Sequence, residues 1–560
     1  MDPVVVALTG KLNFYLVLAG VLTWPLALAV LRLYTRAVHR SMLARGQPPK
    51  DPDVETGSRT RQPVRHPASG PAVLFELPTP SQSPETTTFA ARLVERPWRV
   101  ALIYVVSGCV YATALTVANF VATRTEFLPI RFLTVAWVHA WPIVLSAAIV
   151  ATTSRGAKAL ITVAYFAVLF GLAAIVMPIS PDLTWGQVVM LWALYDLPTT
   201  VLLLTCLSRR FRAVAPLIFA FMFVSALGSE AVLTLVGNNV TYLAPIADLS
   251  VALDVGPITT LLILAAIGFA LFTVFGWIAL KWIKRRYDAK RLSDESLTLD
   301  VIWLLFAVTH ANGLAFEHPL WVLAGPAAFG LYKACTYAGF SWLSTRQRSE
   351  LQRFPALLLL RSFSIGKSSE RLFDAIDKHW RRVGSIQLIA GVDLASRTIE
   401  PHEFLDFVSG RLARRFIDSP QTMRRRLDER DLQPDRDLRF RVNEYFCHDD
   451  MWRTVLSELV DESDAVLMDL RGFSRQNAGC VFEIHELARH FPLERIVFIV
   501  DARTDETLLA DTLGDCSAGV FRVQSMHARN LRPLLRALAA AATQSSSVVA
   551  SVSHNLAARA

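Results

Sequence analysis

One carboxylate in the C-terminal half is spaced for chemistry. Glu483 lies four residues after Gly479, in an amphipathic run that follows the apolar stretch 465–470 and the turn Arg471, Gly472, Phe473, Ser474. The spacing predicts a first-turn position in a helix, where free amides and the positive end of the macrodipole favour an ionised carboxylate. Against an N-glycosidic bond, such a group stabilises or captures an oxocarbenium-like centre. Gly479 would let the backbone approach a ribose or phosphate closely. Arg361 and Arg471 offer guanidinium forks for a phosphate or carboxylate. The plainer alternative is that Glu483 simply caps its helix, because acids are favoured in first turns everywhere. Cys480 reads as a small buried residue of the turn. His485, Glu486 and His490 are poorly matched for metal, and the six scattered cysteines form no C-x-x-C pair, so no metal site is expected.

The elements that must position these groups are legible from residue 354 onward. Short β-rich runs at 356–361, 385–390, 441–447, 465–470, 496–500 and 520–523 alternate with amphipathic helical runs at 370–382, 401–417, 451–460, 480–490, 504–512 and 530–542. That alternation predicts βαβ units on a parallel sheet. Ligands of open α/β sheets bind beyond the carboxyl ends of the strands. Arg361, Ser362 and Phe363 fall there after the first strand, and Asp450 and Trp452 after the third. Arg471, Gly472, Asn477 and Gly479 follow the fourth, and Asp501 and Arg503 the fifth. Residues 418–440, with Arg424, Arg425 and Arg426 among alternating acids, read as a solvated insertion.

The run from Ser463 through Asp469 and Leu470, followed by Asn477, Gly479 and Glu483, resembles the core of nucleoside 2-deoxyribosyltransferase-like domains, relatives in fold of TIR domains. Their pattern is D-x-G-T-x-x-E after a strand. Gly479 and Glu483 keep that spacing, whereas Asn477 replaces the aspartate and Cys480 the threonine. Leu358 to Phe363 is similar to the first-strand turn of that superfamily. Together with Asp449, Asp450, Met451 and Trp452, it resembles uncharacterised polytopic bacterial membrane proteins carrying such a domain. The resemblance covers roughly 354–542 and implies a Rossmann/flavodoxin-like, TIR-like fold. It also implies Glu483 as the catalytic carboxylate and NAD or a nucleoside as ligand, with no other cofactor expected.

The remainder of the chain has a different composition. Of 560 residues 53% are hydrophobic and only 19% charged, below the roughly one quarter usual for soluble proteins. Residues 344–560 hold 31 Lys and Arg against 30 Asp and Glu, so nearly all of the +9 net charge sits in the apolar half. Apolar runs near 12–31, 100–123, 132–152, 159–179, 187–207, 213–236 and 257–280 are read as membrane helices. The shorter runs 301–316 and 320–343 either span as well, about nine helices in all, or form a re-entrant pair. Basic clusters at 32–45, 155–158, 209–212 and 281–286 alternate with loops at 180–186 and 237–256 that lack Lys and Arg. The positive-inside rule then places the N-terminus outside and the C-terminal domain in the cytoplasm, in the cell's inner (plasma) membrane. The basic charge is thus topological, and no nucleic-acid partner is expected.

The expected organisation is a first transmembrane helix at 1–35, a disordered Pro-rich linker at 36–96 and a polytopic domain at 97–343. A cytoplasmic α/β domain at 344–542 and a disordered tail at 543–560 follow. Within the spans, His139, Asp196, Glu230, His310 and Lys333 are ionisable, and such groups mark either pathways or interhelical hydrogen bonds. Three readings of function follow: a membrane-attached nucleotide- or nucleoside-binding domain that cleaves an N-glycosidic bond, a non-enzymatic sensor or scaffold (a homo-oligomer included), or a transporter or channel using Asp196 and Glu230.

Overall fold

The computed structural model describes residues 3–43, 74–76, 84–151, 155–179, 184–206, 214–314, 317–350, 354–361, 366–390, 401–448, 451–514, 518–522 and 531–557. The first half is helical: α1 (Pro3–Leu43), α2 (Pro84–Thr123), α3 (Pro129–His139), α4 (Trp141–Val150), α5 (Arg155–Val176), α6 (Trp185–Cys206), α7 (Ala215–Gly237), α8 (Val240–Ala252), α9 (Pro257–Asp288), α10 (Asp294–Leu314) and α11 (Ala324–Glu350). Among the described residues six helices are long and apolar enough to cross a membrane, or seven if α3 and α4, bent by 44° at Ala140, count as one span. The chain is a multi-pass membrane protein, and among the described residues the spans are fewer than the nine expected. α6 and α11 are not among the six. Lys333 with Gly, Ser and Thr dilutes the apolar run of the second.

Helices α7 and α9 meet through glycine. A Cβ on Gly228 would lie 2.4 Å from the Gly268 carbonyl oxygen, and one on Gly268 would lie 2.3 Å from that of Gly228. Both obstacles are backbone, so neither moves away cheaply, and membrane helices use small residues for such approaches. Gly268→Ala is therefore expected to cost about 1–3 kcal/mol through overpacking and to reduce the monodisperse fraction in detergent. An unchanged elution profile and thermal midpoint would refute this packing.

The second half is an α/β domain. Its strands are β1 (Leu74–Glu76), β2 (Ala356–Arg361), β3 (Ser385–Ala390), β4 (Phe416–Ile417), β5 (Val442–Cys447), β6 (Ala465–Asp469), β7 (Ile496–Val500) and β8 (Ala518–Arg522). They form one sheet in the order β1-β8-β7-β6-β2-β3-β5-β4, every pair parallel. The central strands are buried along their length, as parallel strands covered on both faces must be. Intervening helices are α12 (Gly366–Trp380), α13 (Pro401–Val408), α14 (Pro420–Asp428), α15 (Trp452–Glu462), α16 (Ala478–His490) and α17 (Glu506–Leu513), with α18 (Arg532–Ala557) last.

Three boundaries differ from expectation. α1 continues to Leu43 and α2 starts at Pro84, so helix occupies both ends of the expected linker, and Leu74–Glu76 pairs with β8 as an edge strand. α18 runs on through most of the expected tail. Residues 418–440 are no solvated insertion: α14 lies there, and Asp435, Asp437, Leu438 and Arg439 are buried.

Burial at 435–441 arises because the amino edge of the sheet docks on the membrane helices. Arg381 and Arg382 immediately precede β3, and Arg439 and Arg441 precede β5. Arg382 pairs with Glu295 in the first turn of α10, and Arg439 reaches Glu295 at 3.0 Å and Asp294 at 3.4 Å. Arg441 donates to the Tyr287 carbonyl near the end of α9, and Ser293 Oγ donates to Asp437 at 2.5 Å. From α2, Arg96 donates to the Arg382 carbonyl at 2.7 Å, and Phe89 packs edge-on against Trp380. α2 has 40 residues, about 60 Å at 1.5 Å per residue, roughly twice the thickness of a hydrocarbon core. Its surplus length carries this contact. With the amino edge against the bundle, the carboxyl ends of the strands lie a strand length away, about 17–20 Å.

Candidate functional site

The chain leaves β2 toward β3 on one side and returns to β6 on the other, so β2 and β6 flank the point where strand order reverses. That crevice is where open α/β sheets bind ligands. Arg361 ends β2 in register with Asp469 of β6. Ser362, Phe363 and Asp450 lie outside the described residues. So of the expected set, the structure brings together the β6–α16 connection and what surrounds it.

That connection is tied to the end of β7. Gly472 has φ +70, a left-handed conformation suited to glycine, and its amide donates to Asp501 Oδ1 at 3.0 Å. The Leu470 amide donates to the Ile499 carbonyl, and Thr504 Oγ1 donates to the Leu470 carbonyl at 3.0 Å. Burial pushes the Asp501 carboxyl up, but hydrogen bonds from the Arg503 side chain and from the Gly472 and Arg503 amides outweigh it and hold it below its ordinary value. Asn477 Oδ1 accepts from the Ser474 amide at 3.0 Å. α16 begins just beyond, and its N-cap Asn477 makes no side-chain cap. A Cβ on Gly479 would meet nothing within 4 Å, so space is open beside this helix end.

Arg471 departs from expectation. It is 2% exposed, and its guanidinium grips Asp469 at both oxygens, Nε to Oδ1 at 2.8 Å and NH2 to Oδ2 at 2.7 Å. A buried guanidinium requires such a partner, so Arg471 braces the end of β6 instead of presenting its fork to a ligand anion. Trp452 sits at the start of α15, at the carboxyl side of β5, and packs edge-on against Phe482 with centroids 5.4 Å apart. Cys480 is buried in the core beside Ile484 and Leu487.

Glu483 is the outlier. Helix α16 starts at Ala478, so Glu483 lies in its second turn, beyond the free amides, and not in the first. It is 5% exposed, and its Oε2 is buried without a hydrogen-bond partner. Burial alone pushes the carboxyl from 4.5 up to about 8. At neutral pH it is thus mostly a neutral acid, about nine molecules in ten. A buried polar group without a partner costs roughly 1–3 kcal/mol, and unpaired acids of shifted pKa concentrate at functional sites.

A second polar cluster lies among the membrane helices. Asp196 of α6 and His310 of α10 are buried, with Oδ1 and Nε2 3.0 Å apart, and His310 Nδ1 is 3.1 Å from the Tyr111 hydroxyl of α2. His139 lies tilted against His310 with ring centroids 5.0 Å apart and hydrogen-bonds Thr116 at 3.0 Å. Asp196 Oδ2 is buried with no partner. Glu230 does not join them: Thr234 Oγ1 of its own helix donates to its Oε1 at 2.7 Å. Lys333 pairs with Asp300. His310→Phe removes a partner from both Asp196 and Tyr111. It is expected to cost about 1–3 kcal/mol, more than Asp196→Asn, which still accepts a hydrogen bond from His310. Equal thermal midpoints for the two variants would contradict the pairing.

Compared with protein-family models, with curated proteins and with solved structures, the chain shows no match.

Proposed function

We propose that this protein carries a cytoplasmic nucleotide- or nucleoside-binding α/β domain on a bundle in the plasma membrane, and that Glu483 is its reactive carboxyl. The observation that carries the reading is a buried Glu483 carboxyl, its Oε2 without a hydrogen-bond partner, one helical turn below the open space at Gly479, next to the reversal of strand order. The order β5-β3-β2-β6-β7-β8, with β1 and β4 added at the edges, is the 3-2-1-4-5-6 order of Rossmann-type dinucleotide-binding sheets, and the 463–483 pattern supports a TIR-like domain. The chemistry proposed is cleavage of an N-glycosidic bond of NAD or a nucleoside. There the ionised carboxylate faces the developing oxocarbenium centre, and the base departs with the bonding electron pair. Water adds to the anomeric carbon and releases its proton to solvent. A cationic base on the ligand favours the ionisation of Glu483. The basic clusters at 32–45 and 281–286 support the orientation with the N-terminus outside.

The test is incubation of the purified full chain with NAD and with deoxynucleosides. Saturable binding is expected, with base release that rises with pH through about 8 and disappears in Glu483→Gln. Absence of both binding and turnover would overturn the proposal. Binding without turnover would select the second reading, a membrane sensor. The charged docking of the amino edge on α9 and α10 favours that reading, because it links any ligand-driven shift of the domain to the bundle.

A further inference from the structure

A different chemistry lies where the α/β domain meets the membrane helices. Aromatic rings carry cations over their faces at the ends of α9 and α11: Arg286 over Trp282 at 4.3 Å, Arg346 over Trp342 at 4.3 Å, and Arg436 of the α/β domain over Tyr337 at 3.5 Å. Trp282, Tyr337 and Trp342 are all more than half exposed. Exposed Trp and Tyr beside Arg and Lys mark the level of lipid headgroups, where such pairs have one wet and one apolar side.

At this level the turn after α9, the face of α11 and the segment 433–438 enclose a cleft of about 740 Å³, within the roughly 300–1,000 Å³ of small-molecule sites. Arg291 and Arg436 are exposed cations on its wall, and Tyr337 and Ser341 add hydroxyls on the α11 face, whereas the Ser344 hydroxyl donates to the Ser341 carbonyl at 2.8 Å. The acid in the wall, Asp435, is already engaged by Arg441, with contacts of 2.7 and 3.1 Å. Lys290 also lines the cleft and shares its charge with Asp431. Among the described residues the cleft therefore offers two cations without an acid partner, Arg291 and Arg436, and the Tyr337 and Ser341 hydroxyls at headgroup depth. Some 12 to 19 residues before Lys290, about 18–28 Å along the helix, α9 exposes an apolar surface that includes Leu271, Phe275 and Ile278.

We propose that this cleft binds the headgroup of an acidic phospholipid, with Arg291 and Arg436 on the phosphodiester and the Ser341 hydroxyl on a remaining oxygen. The acyl chains follow the apolar surface of α9. The site is independent of Glu483, which lies on the far side of the sheet's docking edge. Its lining includes the backbone contact between the Arg436 amide and the Lys290 carbonyl, 3.1 Å, so an occupied cleft braces the junction between domain and bundle.

The experiment uses the full chain in detergent, titrated with phosphatidylglycerol or phosphatidylcholine and read by native mass spectrometry and thermal midpoint. Phosphatidylglycerol is expected to bind and raise the midpoint, whereas phosphatidylcholine is not. Each cation near a headgroup contributes about fivefold, equivalent to about 1 kcal/mol, so Arg291→Gln with Arg436→Gln is expected to weaken binding about 25-fold. The Arg291→Lys, Arg436→Lys pair, which keeps the charge, retains most of it and controls for folding. Arg286→Gln, in the belt but outside the cleft, leaves binding unchanged. Undiminished binding in the double Gln variant, or equal loss in Arg286→Gln, would overturn the site. Competition by glycerol 3-phosphate as strong as by lipid would replace the lipid with a soluble phosphate ligand and overturn it as stated.

Discussion

Glu483→Gln is expected to make the protein more stable at neutral pH while removing its chemistry. The folded carboxyl holds its proton up to about pH 8, whereas the unfolded one releases it near 4.5. Between those values the folded state binds more protons, so stability falls as pH rises from 4.5 toward 8 and levels off above. At pH 7 the penalty is about 3 kcal/mol, because each tenfold difference in proton affinity is worth about 1.4 kcal/mol. Glutamine keeps the shape and carries no such ionisation cost. The thermal midpoint of the full chain in detergent should therefore rise in the variant, with the gain growing from pH 5 to pH 8 and absent at pH 4. A variant less stable than the parent at pH 8 would show that Glu483 is ionised and paired in the folded protein. Loss of activity combined with a gain in stability is the signature of a group retained for function.

Glu295→Ala is expected to release the α/β domain from the bundle. The Glu295 carboxylate accepts from both Arg382 and Arg439, and all three side chains are at least nine-tenths buried. Removing one member of a buried charge network costs about 3–5 kcal/mol, because the remaining charges stay desolvated. Limited proteolysis should then cut the chain between α11 and β2 at much lower protease concentration, with the spans intact. The exposed i,i+4 pair Glu95–Arg99 is the control, since exposed pairs contribute about 0–1 kcal/mol. Equal protease resistance in Glu295→Ala and Glu95→Ala would contradict the docking.

The parallel sheet was legible because β2, β3, β6 and β7 are apolar runs of five or six residues between helical patterns. β1 and β4 were not, since strands of three and two residues carry no periodicity and exist only through their neighbours. Glu483 was found by spacing, yet its environment was misjudged by one helical boundary. An α16 starting near 480 puts it among free amides that favour the charged form. The actual start at Ala478 puts it in the second turn, where burial favours the neutral form. The Asp469–Arg471 pair could have been read, because residues two apart at a strand end share a face. The pairing of Asp196 with His310, and of Glu295 with Arg382 and Arg439, joins positions some 90 to 140 residues apart that no spacing relates.

Hydrogen exchange on the full chain with and without saturating NAD tests most directly whether the ligand site is the carboxyl edge of the sheet. Slowed exchange is predicted in the β6–α16 connection, 470–480, and at the end of β2. No comparable change is expected at the docked amino edge, 435–441. Protection confined to the amino edge or to the bundle, with 470–480 unaffected, would contradict the account.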